Sequence, residues 1–286
     1  MKRSARRAFT LIELLVVMAI LATLASLVFV ALQGAHRSAI RLERDAWHAQ
    51  RKLGKFGLRT APLTMLFVGN SYTSSNDLPG MLAALVRTAG TQPGLEVASH
   101  TEGGATLKKH WDDGLALPKI KAQPWDFVVL QEQSLTPLVN RPQMHHYGKL
   151  FHEEIRPRPA VTLFYLTWAR EAAPATQEGI TDAYVSLARK LHAEVAPAGI
   201  AWDLCRKNSP AITLFDPDGS HPNPTGTYLT ACAFYAAIYM RSPEGLPATA
   251  TWPGGSITVP PADALALQQH AWQAYREVRR QLDEAR

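Results

Sequence analysis

Four short polar clusters in this 286-residue chain carry side chains that could do chemistry together. They are Gly69-Asn70-Ser71-Tyr72-Thr73, Glu102-Gly103-Gly104-Ala105-Thr106, Leu130-Gln131-Glu132-Gln133-Ser134 and Asp218-Gly219-Ser220-His221-Pro222. A serine hydroxyl attacks poorly until a base takes its proton, and that base needs an acceptor to fix its tautomer. An Asp three residues before a His on one loop supplies both. Asp216 competes with Asp218 for the acceptor position, and the three-residue spacing favours Asp218. Glycines at 103 and 104 let a backbone N–H approach a developing oxyanion. Each cluster also has an ordinary reading: Gly, Asn and Ser are what strand-to-helix turns use, DxxH occurs in polar loops, and Gly-Gly is a loop signal.

The elements around the clusters bear on that choice. Residues 63–68 form a short apolar run ending at Gly69, read as a buried strand, and Asp77 can cap a helix to about Ala89 with Pro79 in its first turn. Residues 95–99, 127–130 and 161–166 read as further strands, with Ile200-Ala201-Trp202 as the last. Between them lie helical stretches at 106–115, 145–155 and 176–195, and a helix over 224–240 follows. Strands alternating with helices predict an α/β fold, a three-layer α/β/α sandwich on a parallel sheet. In such sheets the ligand site lies beyond the carboxyl ends of the strands, where the first three clusters fall. A loop over 242–261, with a short strand at 257–259, and a charged helix over 262–286 complete the chain.

In this order the clusters resemble the SGNH (GDSL-type) hydrolases over about residues 63–240: a Gly-x-Ser after the first strand, a Gly after the second, an Asn-bearing block after the third and a late DxxH. The run His221-Pro222-Asn223 with Gly226 and Tyr228 resembles the family's ending. The resemblance implies a flavodoxin-like five-stranded sheet and a serine esterase with Ser71 as nucleophile, His221 as base and Asp218 as orienting acid. It also implies Ser71, Gly104 and Gln133 as oxyanion donors. Asn70 departs from the family's Asp, and the third block departs from Gly-x-Asn-Asp. The GNSYT-type first block and LQEQS-type third block resemble those of an SGNH-like subgroup.

The N-terminus carries a different signal. Lys2, Arg3, Arg6 and Arg7 precede an apolar run from Phe9 to Leu32 whose only charged residue is Glu13. A stretch of that length can cross a bilayer, and a carboxylate inside it is costly in lipid unless it has a partner or a processing role. The segment resembles the type IV pilin and pseudopilin leader, which implies cleavage between Ala8 and Phe9 by a prepilin peptidase, with Glu13 supporting methylation and assembly. Ala8 stands where that family usually has Gly. The expected organisation is a basic leader at 1–8, a transmembrane helix at 9–33, a basic stalk at 34–60, the hydrolase domain at 61–241, and a C-terminal loop and helix at 242–286 packing on it. The leader resemblance places the domain outside the cytoplasm, anchored in the cell envelope. Basic residues on both sides of the run, among them Arg37 and Arg41, leave orientation weakly specified by charge alone.

Of a formal net charge of +6, the leader supplies four, so the remainder near +2 is no argument for a nucleic-acid partner. Cys205 and Cys232 are far apart in sequence and read as buried packing residues, with a single disulfide between them the alternative open to an exported protein. His145, His146 and His152 lack the spacing of a zinc site and read as a solvated helix face, so no metal or cofactor is implied. His110 and Trp111 are weighed as cleft or core residues, and Trp168, Arg170 and Glu171 as rim residues. Envelope location together with the hydrolase resemblance points to carbohydrate esters. The alternative is a minor pilin-like structural or ligand-binding protein with a non-catalytic domain.

Overall fold

Apolar on all sides, residues 15–33 form helix α1 (Leu15–Gln33), and its side chains are exposed. The Thr23 hydroxyl donates to the carbonyl oxygen of Ala19 (2.9 Å) and that of Ser26 to Ala22 (2.7 Å). The helix thereby satisfies its few polar groups internally, as a lipid environment requires. The computed structural model describes residues 15–33, 35 and 61–284; Ala8, Phe9, Glu13 and the stalk lie outside the described residues.

From Leu63 the apolar run extends as β1 (Leu63–Gly69), buried at every position but Thr64. Continuous burial is what a parallel strand covered on both faces demands. The chain continues through α2 (Ser71–Ser74), α3 (Leu78–Thr88), β2 (Leu95–Thr101), α4 (Leu107–Asp112), α5 (Ala116–Lys121) and β3 (Phe127–Leu130). Next come α6 (Thr136–Val139), α7 (Arg141–Ile155), β4 (Val161–Tyr165), α8 (Gln177–Leu191), β5 (Glu194–Ala196), α9 (Ala198–Asn208) and α10 (Pro224–Tyr239). The hairpin β6 (Thr249–Trp252) and β7 (Gly255–Thr258) and the long helix α11 (Pro261–Asp283) end the described chain.

Strand order is β2-β1-β3-β4-β5, all parallel, with helices on both faces. The order reverses between β1 and β3, so the crevice beyond their carboxyl ends is the topological switch point where ligands of open α/β sheets sit. Helices α3, α9 and α10 cluster on one side, and α4, α7 and α8 on the other. The core is built on the sheet from Phe67, Phe127, Phe164 and Tyr165, and on α10 from a run buried from Gly226 to Tyr239. Helix α11 packs across α9 and α10.

One expected strand is wrong. Ile200-Ala201-Trp202 lies in α9, and the last strand of the parallel sheet is β5, which begins inside the span expected to be the end of the preceding helix. Buried Ala198, Ala201, Trp202 and Cys205 follow helical spacing, whereas β5 is three residues long and begins with a glutamate. Glu194 is buried there because Arg279 of α11 pairs with it at 3.0 Å. The histidines of α7 also differ from expectation. Only His146 is exposed, while His145 bonds the Ala183 carbonyl (2.9 Å) and His152 the Thr162 hydroxyl (3.0 Å). Cys205 and Cys232 are buried and free.

Candidate active site

Ser71 owes its position to the two residues before it. A Cβ on Gly69 would stand 2.5 Å from Gln131 Oε1 and 2.7 Å from Thr73 Oγ1, so glycine leaves the room that the Gln131 amide and the Thr73 hydroxyl occupy. Asn70 then caps α2, its Oδ1 accepting the Tyr72 N–H at 3.1 Å. Its Nδ2 donates to the carbonyl of Ala105 in the second cluster (2.9 Å). Gln131 completes the lock: Oε1 accepts from Asn70 N (2.9 Å) and Thr73 Oγ1 (2.9 Å), and Nε2 donates to Asn70 Oδ1 (2.7 Å). Both amides are buried and fully engaged, which makes the turn rigid. His110 is a core residue and not a cleft residue; its Nε2 donates to the Gly69 carbonyl at 2.8 Å. Trp111 packs edge-on against Phe151.

His221 arrives from the other end of the domain with Nε2 2.9 Å from Ser71 Oγ. Its Nδ1 is hydrogen-bonded to Asp218 Oδ2, while Asp218 Oδ1 accepts the backbone N–H groups of Ser220 and His221, both at 2.9 Å. These bonds, the imidazole first, hold the Asp218 carboxyl down at about 2. An ionised carboxylate only accepts, so Nδ1 carries the proton, and Nε2 of the neutral ring is left to accept one from Ser71. Asp216 takes no part through its side chain; its N–H donates to the His221 carbonyl (2.9 Å).

Three aromatic residues hold that loop. Tyr72 stacks on Trp168 (4.7 Å between ring centroids), which stacks on Trp202 (3.8 Å). The Tyr72 hydroxyl lies 2.6 Å from Ser220 Oγ, and Trp168 Nε1 donates to the Ser220 carbonyl at 3.0 Å. Tyr72 meets the His221 ring edge-on at 5.5 Å. Trp168 is therefore a buried strut and not a rim residue, and Tyr72 and Ser220 join the site unforeseen. Glu171 N donates to the Gly219 carbonyl (2.9 Å), and Arg170, exposed, reaches Ser134 Oγ at 3.4 Å.

The expected oxyanion donors divide. Gly104 is exposed, at φ +68°, with open space where a side chain would stand, three residues beyond the carboxyl end of β2. Gln133 folds back on its own segment: Oε1 accepts from Leu135 N (2.8 Å) and Thr136 N (3.2 Å), and Nε2 donates to Ser134 Oγ (3.2 Å). Within the third cluster Gln131, not Gln133, bonds the Ser71 turn. Its neighbour Glu132 is wholly buried, with Oε1 accepting Gln133 N (2.7 Å) and Leu107 N (3.2 Å) and Oε2 without a partner. Burial raises that carboxyl to about 7, against the pull of its two N–H donors. No group of three His, Cys, Asp or Glu side chains among the described residues is arranged to hold a metal.

Residues 3–29 match the prokaryotic N-terminal methylation motif. No curated protein sequence matches the chain. Among solved structures, a candidate SGNH hydrolase from Slackia heliotrinireducens is similar over 62% of this chain and 99% of its own, at 24% identity and a TM-score of 0.53. A DUF4886 family protein from Bacteroides uniformis is similar over 74% and 94%, at 19% identity and 0.61. An acetyl xylan esterase is similar over 62% and 100%, at 14% identity and 0.51. These likenesses establish the fold: the domain is built as the SGNH hydrolases are.

Proposed function

We propose that this protein is a serine ester hydrolase carried outside the cytoplasm on a membrane helix, with Ser71, His221 and Asp218 as its catalytic triad. One observation carries the reading: His221 Nε2 lies 2.9 Å from Ser71 Oγ while Nδ1 is committed to Asp218. Residues 150 positions apart meet in the arrangement that a hydroxyl nucleophile requires.

Ser71 Oγ attacks the ester carbonyl as His221 Nε2 takes its proton, and Asp218, ionised down to about pH 2, stabilises the resulting imidazolium. The carbonyl oxygen becomes an oxyanion facing the N–H groups of Ser71 and Gly104. Gln133 Nε2 is the third donor; its bond to Ser134 uses one of two amide hydrogens. Collapse expels the alcohol, which leaves with the proton from His221. Water, deprotonated by the same imidazole, then releases the acid and restores Ser71, so ester and water become acid and alcohol. Neither a metal nor a cofactor enters this cycle.

O-acetyl esters of carbohydrate are the proposed substrates. Two features support that class: the likeness to an acetyl xylan esterase fold, and a His221 side chain 37% exposed, which lets a polymer-borne ester reach the serine from solvent. The methylation motif supports a second role alongside the first, in which prepilin peptidase processes the leader at Ala8-Phe9 and the helix enters a pilin-like assembly.

The decisive experiment measures p-nitrophenyl acetate hydrolysis by the full chain in detergent, beside Ser71→Ala. Removal of the nucleophile should lower kcat by about 10³-fold or more. Equal rates for the two proteins would overturn the mechanism.

A further inference from the structure

Five residues after Ser71 the backbone does something unusual. Asn76 and Asp77 are consecutive non-glycine residues in the left-handed region, at φ +53° and +47°. Two such residues in succession persist only where surrounding contacts over-determine them. Here both side chains are committed. Asn76 Nδ2 donates to the Pro222 carbonyl (2.8 Å) and to Thr227 Oγ1 (2.9 Å). Asp77 Oδ1 accepts from Gly80 N (3.2 Å) and Oδ2 from the Trp252 indole N–H (2.9 Å). A Cβ on Gly80 or Gly254 would fall 2.1 or 2.4 Å from that same Oδ2, so the carboxylate sits in a socket that only glycine on both sides leaves open.

The partners of Asn76 give the strain a purpose. Pro222 follows His221 directly, and Thr227 lies on α10, which holds the end of the same loop. Asn76 therefore ties the segment leaving the nucleophile to the segment leaving the base, across 146 residues of sequence. Through Asp77 and Trp252 the tie continues into the β6–β7 hairpin, beyond the four clusters that resemble the hydrolases. We propose that Asn76 is a positioning residue that sets the separation of Ser71 Oγ and His221 Nε2, with Asp77 and the Trp252 hairpin as its buttress. The proposal rests on the esterase reading for its catalytic consequence, though not for its geometric one.

Asn76→Asp keeps the size and the tolerance of a left-handed backbone but turns a donor into an anion facing a carbonyl. Asn76→Gly removes the tie while easing the backbone, so it folds even if the first variant does not. Trp252→Phe removes only the indole donor and stays apolar. The full chain in detergent is treated with a p-nitrophenyl phosphonate, following label on Ser71. In parallel, diethyl pyrocarbonate modification of His221 is followed by peptide mass spectrometry, which reads the free Nε2 whether or not the protein hydrolyses esters.

Both Asn76 variants should take phosphonate about tenfold more slowly, with kcat falling and KM little changed, as expected for reacting groups held slightly out of place. His221 should be modified at least about threefold faster because Ser71 no longer covers Nε2, and Trp252→Phe should show a smaller change in the same direction. Unchanged phosphonate and His221 rates in the Asn76 variants would overturn the clamp while leaving the esterase reading intact. If Ser71 of the unaltered protein takes no label, the esterase reading fails and the His221 rates alone decide: faster modification upholds the clamp, and equal rates end it.

Discussion

At the scale of single residues, the third polar cluster was only partly legible. Gln131, Glu132 and Gln133 are consecutive side chains at the end of one strand, and sequence offers no way to tell which of them reaches the nucleophile. The pleat and the local turn decide: Gln131 locks Asn70, Gln133 turns back on its own segment, and Glu132 is sealed between β3 and the start of α4. Glu132 is the costliest of the three. Its carboxyl is raised from 4.5 to about 7 in the folded chain, so between those values the folded protein holds a proton that the unfolded chain has released. Stability is therefore fullest below the unfolded value and declines as pH rises through about 7, by about 3 kcal/mol in all. Glu132→Gln, which carries no charge to desolvate, should melt several degrees above the unaltered protein at pH 8.5 and close to it at pH 4.5. Melting differences equal at the two pH values would remove the buried charge as the cause.

At the scale of elements, the handovers from β1, β2 and β3 to the helices that follow each combine a structural task with a candidate catalytic one. Where β3 passes into α6, Gln133 accepts the N–H groups that open the turn, and its second amide hydrogen is the one proposed to meet an oxyanion. Gln133→Glu separates the tasks because it retains the acceptor and removes the donors. It should lower kcat about tenfold, toward the lower range for loss of one oxyanion donor, with the melting temperature held. An unchanged kcat would leave Gln133 as a turn residue alone. The one misplaced strand is also explained at this scale. An edge strand of three residues with a charged first member has no apolar run to announce it, and α11 brings Arg279 across to pair with its Glu194. Helix α9 looked like a strand because a three-residue apolar window cannot distinguish the two periods.

At the scale of the whole molecule, a helix long and apolar enough to cross a membrane precedes an α/β domain with the SGNH hydrolase fold. The proposed boundary near residue 61 predicts that the full chain sediments with membranes and resists high-salt extraction, whereas a chain starting at residue 61 stays in the supernatant with its esterase activity. A truncated chain that still pellets with membranes would place the anchor elsewhere. The sequence by itself determined the class of fold, because buried parallel strands must be apolar throughout and helices must separate them. It also singled out Ser71, Asp218 and His221 as the candidate triad, because short-range spacing and the chain order that carries the resemblance survive in one dimension. The tertiary structure alone decided what holds them: the Asn70–Gln131 lock, the Tyr72–Trp168–Trp202 stack and the Asn76 tie. Each joins residues tens to more than a hundred positions apart, and which polar side chain answers which backbone group across such distances is fixed only when the sheet closes and the loops meet at its edge.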